Sequence, residues 1–264
     1  MESFYSHERN LDRDRRTFVE AINLVSIEEI PMVFDEGVSD KLDASLGETK
    51  LFILGEVHGV KENVDVIYTL FKKFGFRQLA LEWGPELKAS VEKFIESGNI
   101  DFDAIKDSAD GRITAGHFAL IKKLRDQGLL EMPVCFDGGS VGDDWNERDA
   151  WMAKNIMANL SNKTTLVVAG NLHTKTESII LDGERGECHP MGERIKALLP
   201  NVPSGRIEYV TGQFHNYGTR EFSVNLNEEQ RSSVKCSVSE DGLYEFVLPE
   251  AHSAVVPNPS ERIK

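Results

Sequence analysis

Three cysteines in 264 residues, Cys135, Cys188 and Cys236, with no C-x-x-C pair among them, leave neither a thiolate zinc site nor a disulfide framework. A stretch of about 20 apolar residues, which a membrane span needs, is also missing, and "MESFYSHERNLDRDRRTF" at the start lacks the apolar core of a secretory signal. Basic residues are outnumbered 44 to 30 by acidic ones and form no run, so the net charge of -14 argues against nucleic acid and against anionic membrane as partners. A cytoplasmic protein acting on a small molecule is the expectation. Walker A, G-x-G-x-x-G and H-E-x-x-H patterns are likewise lacking, which leaves nucleotide and zincin chemistry unsupported.

What is present is an alternation of apolar runs and amphipathic segments. Helices are expected over 15–25, 39–46, 60–74, 85–97, 114–127, 147–160 and 191–199. Between them, "KLFILGE", "RQLALEW", "PVCFDGG" and "TTLVVAGN" read as strands, too uniformly apolar to have a wet face. Weaker strands are expected near 206–211 and 243–248 as antiparallel additions, followed by a loose Pro-rich tail from 249. The pattern predicts one α/β domain over 1–264, a three-layer fold whose mostly parallel central sheet has helices on both faces, with its core at about 48–212.

In such a sheet, ligands bind outside the carboxyl ends of the strands. The four clear strands end in GEVH, LEWG, FDGG and GNLH, which places Glu56, His58, Glu82, Asp137, Asn171 and His173 on one edge. Taken singly, each has an ordinary explanation as a cap, a turn residue or a structural histidine. Their joint occurrence on one edge points to a site. Glu56 and His58, two apart on an extended segment, face the same side about 7 Å apart. Glu56 and Glu82 would orient His58 and His173. His58 is expected as general base, since imidazole takes a proton from water near neutral pH, with His173 as second acid or base or as substrate ligand. Arg148 offers fixed donors to a growing oxyanion; its alternative is a surface pair with Asp144 or Asp149.

Glu56, His58, Glu82 and His173 could instead hold a divalent ion with one position open to water. A competing nucleophile is Ser140 in "GGSVG", a G-x-S-x-G match, although Gly142, Asp143 and Asp144 delay the helix that an elbow needs directly after its serine. His7, His117, His189, His215 and His252 lack convergent context.

In order along the chain, "LGEVHG", the glutamate of "LALEWG", the helix "RDAWMAKNI" beginning at Arg148, and "VVAGNLH" resemble the superfamily that joins the erythromycin esterase-like proteins, the ChaN haem-binding proteins and the TraB/Tiki metalloproteases. The resemblance covers about residues 48–212. It implies that Glu56, His58, Glu82, Arg148 and His173 form the site of an ester or acyl hydrolase; its other branches imply a haem or metal binder, or a metal-dependent peptidase. The G-E-x-H spacing is nearer the ChaN branch, and the chain is shorter than the macrolide esterases.

Overall fold

The computed structural model describes residues 2–138, 144–181, 186–222 and 234–258, with side chains of the first helix described from residue 13 onward. Ser140, and with it the nucleophile-elbow reading, lies outside the described residues.

Seven α-helices flank the sheet among the described residues: α1 (Glu2–Leu24), α2 (Val38–Thr49), α3 (Asn63–Lys73), α4 (Lys88–Ser97), α5 (Ala115–Asp126), α6 (Trp145–Asn159) and α7 (Met191–Leu198). The main sheet uses β1 (Met32–Phe34), β2 (Leu51–Glu56), β3 (Gln78–Leu81), β4 (Val134–Cys135), β5 (Thr165–Gly170), β8 (Ser204–His215), β9 (Thr219–Phe222), β10 (Val234–Val238) and β11 (Tyr244–Ala251), while β6 (Ile179–Leu181) and β7 (Gly186–Cys188) form a separate hairpin. Strand order is β1-β10-β11-β8-β2-β5-β3-β4, with β9 paired to β8. From β11 to β4 every neighbouring pair is parallel.

Burial along β2 explains its unbroken apolar run. Phe52 and Leu54 pack into one core with α3 and α5, whereas Leu51 and Ile53 pack into a second core with Met152 and Ile156 of α6 and Met191 and Ile195 of α7. Alternate residues of a strand face opposite sides, so both faces of this sheet must be covered. The architecture is the expected three-layer α/β fold. Two helix starts are fixed by side chains: Thr114 Oγ1 accepts from His117 N at 3.2 Å, and Asp144 Oδ1 accepts from Asn146 N at 2.7 Å and Glu147 N at 3.2 Å. Caps of this kind contribute about 1 kcal/mol each.

The C-terminal third departs from expectation. The two strands expected as antiparallel additions are β8 and β11, and both are parallel members inside the sheet, β8 beside β2 and β11 beside β8; the antiparallel additions are β9 and β10. The tail expected to be loose from 249 is instead fixed through Asn258. Its β11 ladder continues to Ala251, after which Ala254 N donates to Gly59 O, Ala115 N to Val255 O, and Asn258 N to Ser108 O. Prolines mask this in the sequence because the fixing bonds are made by backbone groups around them, to loops, without any apolar period.

Gly59 is the knot of that arrangement. It has φ +74°, and a Cβ there would overlap the carbonyl of His215, whose N–H donates to Gly59 O. Gly59→Ala is therefore expected to destabilise the protein by more than about 1 kcal/mol, since both the positive φ and the overlap act against it. Urea unfolding checks this, and an unchanged midpoint would contradict it.

Candidate active site

The chain leaves the parallel sheet at Glu56, Glu82, Asp137 and Gly170, and these exits stand side by side because β2, β5, β3 and β4 are neighbours in register. Glu82 is the hub. Its Oε2 accepts from Gly170 N at 2.8 Å and lies 3.5 Å from His58 Nε2; its Oε1 accepts from Arg148 Nη2 at 2.6 Å and lies 3.8 Å from His173 Nε2. Gly170 permits the approach of His58, whose Nε2 would be 2.8 Å from a Cβ at that position.

On one side of the hub, His58 Nδ1 meets Glu56 Oε1 at 3.2 Å. On the other, His173 Nδ1 lies 2.8 Å from Asp149 Oδ2, and Asp149, fully buried, also accepts from Met191 N at 2.6 Å. Five side chains thus alternate as carboxylate, imidazole, carboxylate, imidazole, carboxylate: Glu56, His58, Glu82, His173, Asp149. The indole of Trp145 stacks on the His173 ring at 4.3 Å between centroids and an 11° tilt, fixing its plane.

The structure brings all five expected residues together. Asp137 joins them, its two oxygens accepting from Arg148 Nε at 3.0 Å and Nη2 at 2.8 Å. Asn171 does not: its backbone N–H donates to Glu56 O, but its side chain lies on the opposite face of β2, against Gly55. Arg148 is no surface pair. It reaches inward, and Asp149 serves His173 instead.

Three further residues belong to the cluster. Arg112 donates through Nε to Asp110 Oδ2 at 2.6 Å and through Nη1 to Asp137 Oδ2 at 2.9 Å, with Glu82 Oε1 at 3.4 Å. Asp110 forks that guanidinium from the far side. His117, expected to lie apart, has Nε2 at 3.7 Å from Glu56 Oε2, an oxygen that accepts no hydrogen bond among the described residues. The loop carrying Asp110 and Arg112 is held by Trp83 Nε1 on Arg112 O, Gly59 N on Gly111 O and Tyr217 N on Ala109 O. Arg148 and Arg112 remain about a quarter to a third exposed, toward a cavity of about 400 Å³ whose walls include Trp83, Leu87 and Ile113.

The two histidines differ in their partners. Burial alone would lower the His58 pKa, but Glu82 and Glu56, one at each nitrogen, push it up to about 10. With a carboxylate at each nitrogen, the protonated form of His58 is favoured at neutral pH. Burial would raise the Glu82 carboxyl, yet the charges of His58 and Arg148 around it hold it well below the ordinary value; Glu56, similarly buried, is lowered by His117 and His58. For His173 the partners decide the tautomer. Arg148 Nη1 lies 3.2 Å from its Nε2 and can only donate, so Nε2 presents its lone pair and Nδ1–H donates to Asp149.

The divalent-ion arrangement expected for Glu56, His58, Glu82 and His173 does not fit this geometry. Glu82 Oε1 is taken by two guanidiniums, each His58 nitrogen faces a carboxylate, and His173 Nδ1 is taken by Asp149. No group of three or more His, Cys, Asp or Glu among the described residues is arranged to hold a metal ion. Tyr209, a candidate axial haem ligand, is buried, and its hydroxyl donates to Asn63 Oδ1 at 2.6 Å.

No family model and no curated protein matches the chain. Among solved structures it is similar to a succinoglycan biosynthesis protein, at 12% identity and a TM-score of 0.58 over 90% of this chain and 98% of that one. It is also similar to a protein from Bacillus cereus, at 9% identity and a TM-score of 0.56 over 78% of this chain and 90% of that one. Likeness at such identities is likeness of fold. None of the described helices is long and apolar enough to cross a membrane.

Proposed function

We propose that the protein is a hydrolase that directs water at an ester or related acyl bond of a small molecule, within the erythromycin esterase-like, ChaN and TraB/Tiki superfamily. The observation that carries this is the non-equivalence of the two histidines across Glu82: one is a buried His–Asp pair whose Nε2 lone pair faces Arg148, the other lies with a carboxylate at each nitrogen. The ordered sequence motifs support the superfamily. A cytoplasmic setting belongs to the same proposal and is supported by three cysteines that remain free thiols.

In this reading, the substrate carbonyl enters from the 400 Å³ cavity and its oxygen takes a donor of Arg148. Water attacks the acyl carbon and gives its proton to His173 Nε2, while Asp149 stabilises the resulting imidazolium. The C–O bond then breaks, and the departing alkoxide takes a proton from His58. Acid and alcohol leave, His173 returns its proton to solvent, and His58 regains one under the pull of Glu56 and Glu82. Arg112, locked by Asp110, holds Asp137 and Glu82 in place around Arg148. The protein's own bases and donors suffice, so activity is expected to survive chelation.

A screen of chromogenic esters, phosphoesters and peptides, with and without chelator, tests the proposal. Ester turnover that survives chelator, and falls at least about 10²-fold in His173→Ala, is the expected result. Chelator-sensitive peptide cleavage without ester turnover would move the protein to the Tiki-type peptidase reading. A sharp Soret band at one equivalent of haem, with no turnover, would move it to the ChaN-type one.

A further inference from the structure

A cavity of about 550 Å³ is away from the histidines, along the outer edge of β4. β4 ends the sheet among the described residues, which place no strand along that edge. The groove runs from Arg77 and Lys163 at one end to Pro85 and Gly138 at the other, with Trp151 and Asn155 of α6 as one wall. Its base offers backbone groups. Phe136 N donates to Leu81 O, so in a parallel ladder the residues on either side of Cys135 point at β3, and the Cys135 N–H and C=O point into the groove. Pro133, facing the same way, has no N–H but leaves its carbonyl.

The lining is basic in a chain whose net charge is -14: Arg77, Lys88 and Lys163 against the single Glu131, which pairs with Lys163 at 2.7 Å. Neither Arg77 nor Lys88 makes an ion pair among the described residues, although carboxylates are abundant on the surface. Trp151, 42% exposed in a protein with few exposed aromatics, supplies an apolar anchor.

We propose that this groove binds an extended acidic segment of a partner protein, which adds to the sheet as a short strand beside β4. Main-chain bonds to Cys135 and Pro133 would give register, Trp151 would hold an apolar side chain, and the three cations would select acidic ones. Charge favours this occupant over a second copy of the chain. An isologous pairing across the edge would set the Arg77 and Lys163 end of one copy against the Lys88 end of the other, and like charges so placed are repulsive. Hydrolysis does not depend on the groove, and its test is independent of the active-site reading.

The probe is a fluorescein-labelled octapeptide of alternating Glu and Val, with a Lys-Val octapeptide as control, titrated with the full-length protein at low salt. Saturable anisotropy change is expected with the Glu-Val peptide alone, weakened at least tenfold by the double variant Arg77→Glu/Lys88→Glu. Both positions are exposed, so the variant should stay folded, and an unchanged thermal transition verifies it. Hydrogen exchange gives a second readout: the Cys135 amide should slow on peptide addition while the Phe136 amide, already bonded to Leu81, does not. Equal binding of the Lys-Val peptide, or no binding up to millimolar protein, would overturn the proposal. So would a dimer in sedimentation equilibrium that Trp151→Glu dissolves, because a second copy would then cover the edge.

Discussion

Asp149→Asn is expected to lower turnover by about 10³ to 10⁴-fold, the scale of loss seen when an orienting carboxylate is amidated behind a catalytic histidine. The reason is the direction of two hydrogen bonds. Asp149 Oδ1 accepts from Met191 N at 2.6 Å, and an asparagine keeps that bond only by leaving its oxygen there and turning its NH₂ toward His173 Nδ1. A donor at that place makes Nδ1 the acceptor and moves the ring proton to Nε2. Nε2–H then faces Arg148 Nη1, also a donor, and the lone pair that receives the water's proton is gone. The fold should persist, because shape and the Met191 bond are kept. kcat should fall with KM nearly unchanged, since the substrate contacts assigned to Arg148 are intact. Turnover within threefold of the natural protein, alongside an inactive His173→Ala, would show that Asp149 merely fills space.

Asp149 also marks where the sequence ceases to be legible. β2, β3 and β5 were readable because a strand covered on both faces has no polar residue until it leaves the sheet, and that same break exposes Glu56, Glu82 and His173. A helix gives no such signal. Arg148 and Asp149 are consecutive, both near the start of α6, and the sequence offers a surface pair as the alternative for Arg148 and no role in the site for Asp149; only packing against α7 shows that Asp149 is fully buried while Arg148 reaches across to Glu82. Arg112 and His117 were hidden for a related reason. They sit in a loop and at a helix start far along the chain from β2, and reach the cluster only because residues 252–258 and Gly59 fix that loop by backbone bonds. The one available hint was Thr114 as a cap three residues before His117, which locates the helix start but not what His117 faces. β1 has only three residues, β10 (VKCSV) mixes polar residues into its run, and β11 carries Pro249 within a strand that nonetheless pairs with β8 through Ala251.

His58→Ala is expected to cost about 3–5 kcal/mol of stability at pH 7, the range for removing one partner of a buried charge pair. Glu56 would lose its nearest positive charge, keeping only His117 at 3.7 Å, whereas Glu82 would still have Arg148 and Arg112. The pH dependence separates this from a simple packing defect. In the natural protein, His58 is raised from 6.5 to about 10, so its contribution is complete below about pH 6.5 and lost as pH rises through about 10. Glu56 and Glu82 are lowered, so theirs is complete above about pH 4.5 and lost on further acidification. Without His58, burial dominates at Glu56 and raises its carboxyl above the unfolded value; stability then improves as pH falls and this group takes up a proton. The difference between the two proteins should be greatest near pH 7. It should shrink at pH 5, where the variant neutralises Glu56, and again toward pH 10, where the natural protein loses its imidazolium. Urea midpoints at pH 5, 7 and 9.5 measure it. A difference that stays constant across all three would mean that His58 contributes shape alone and is not the imidazolium that the proposed leaving-group proton requires.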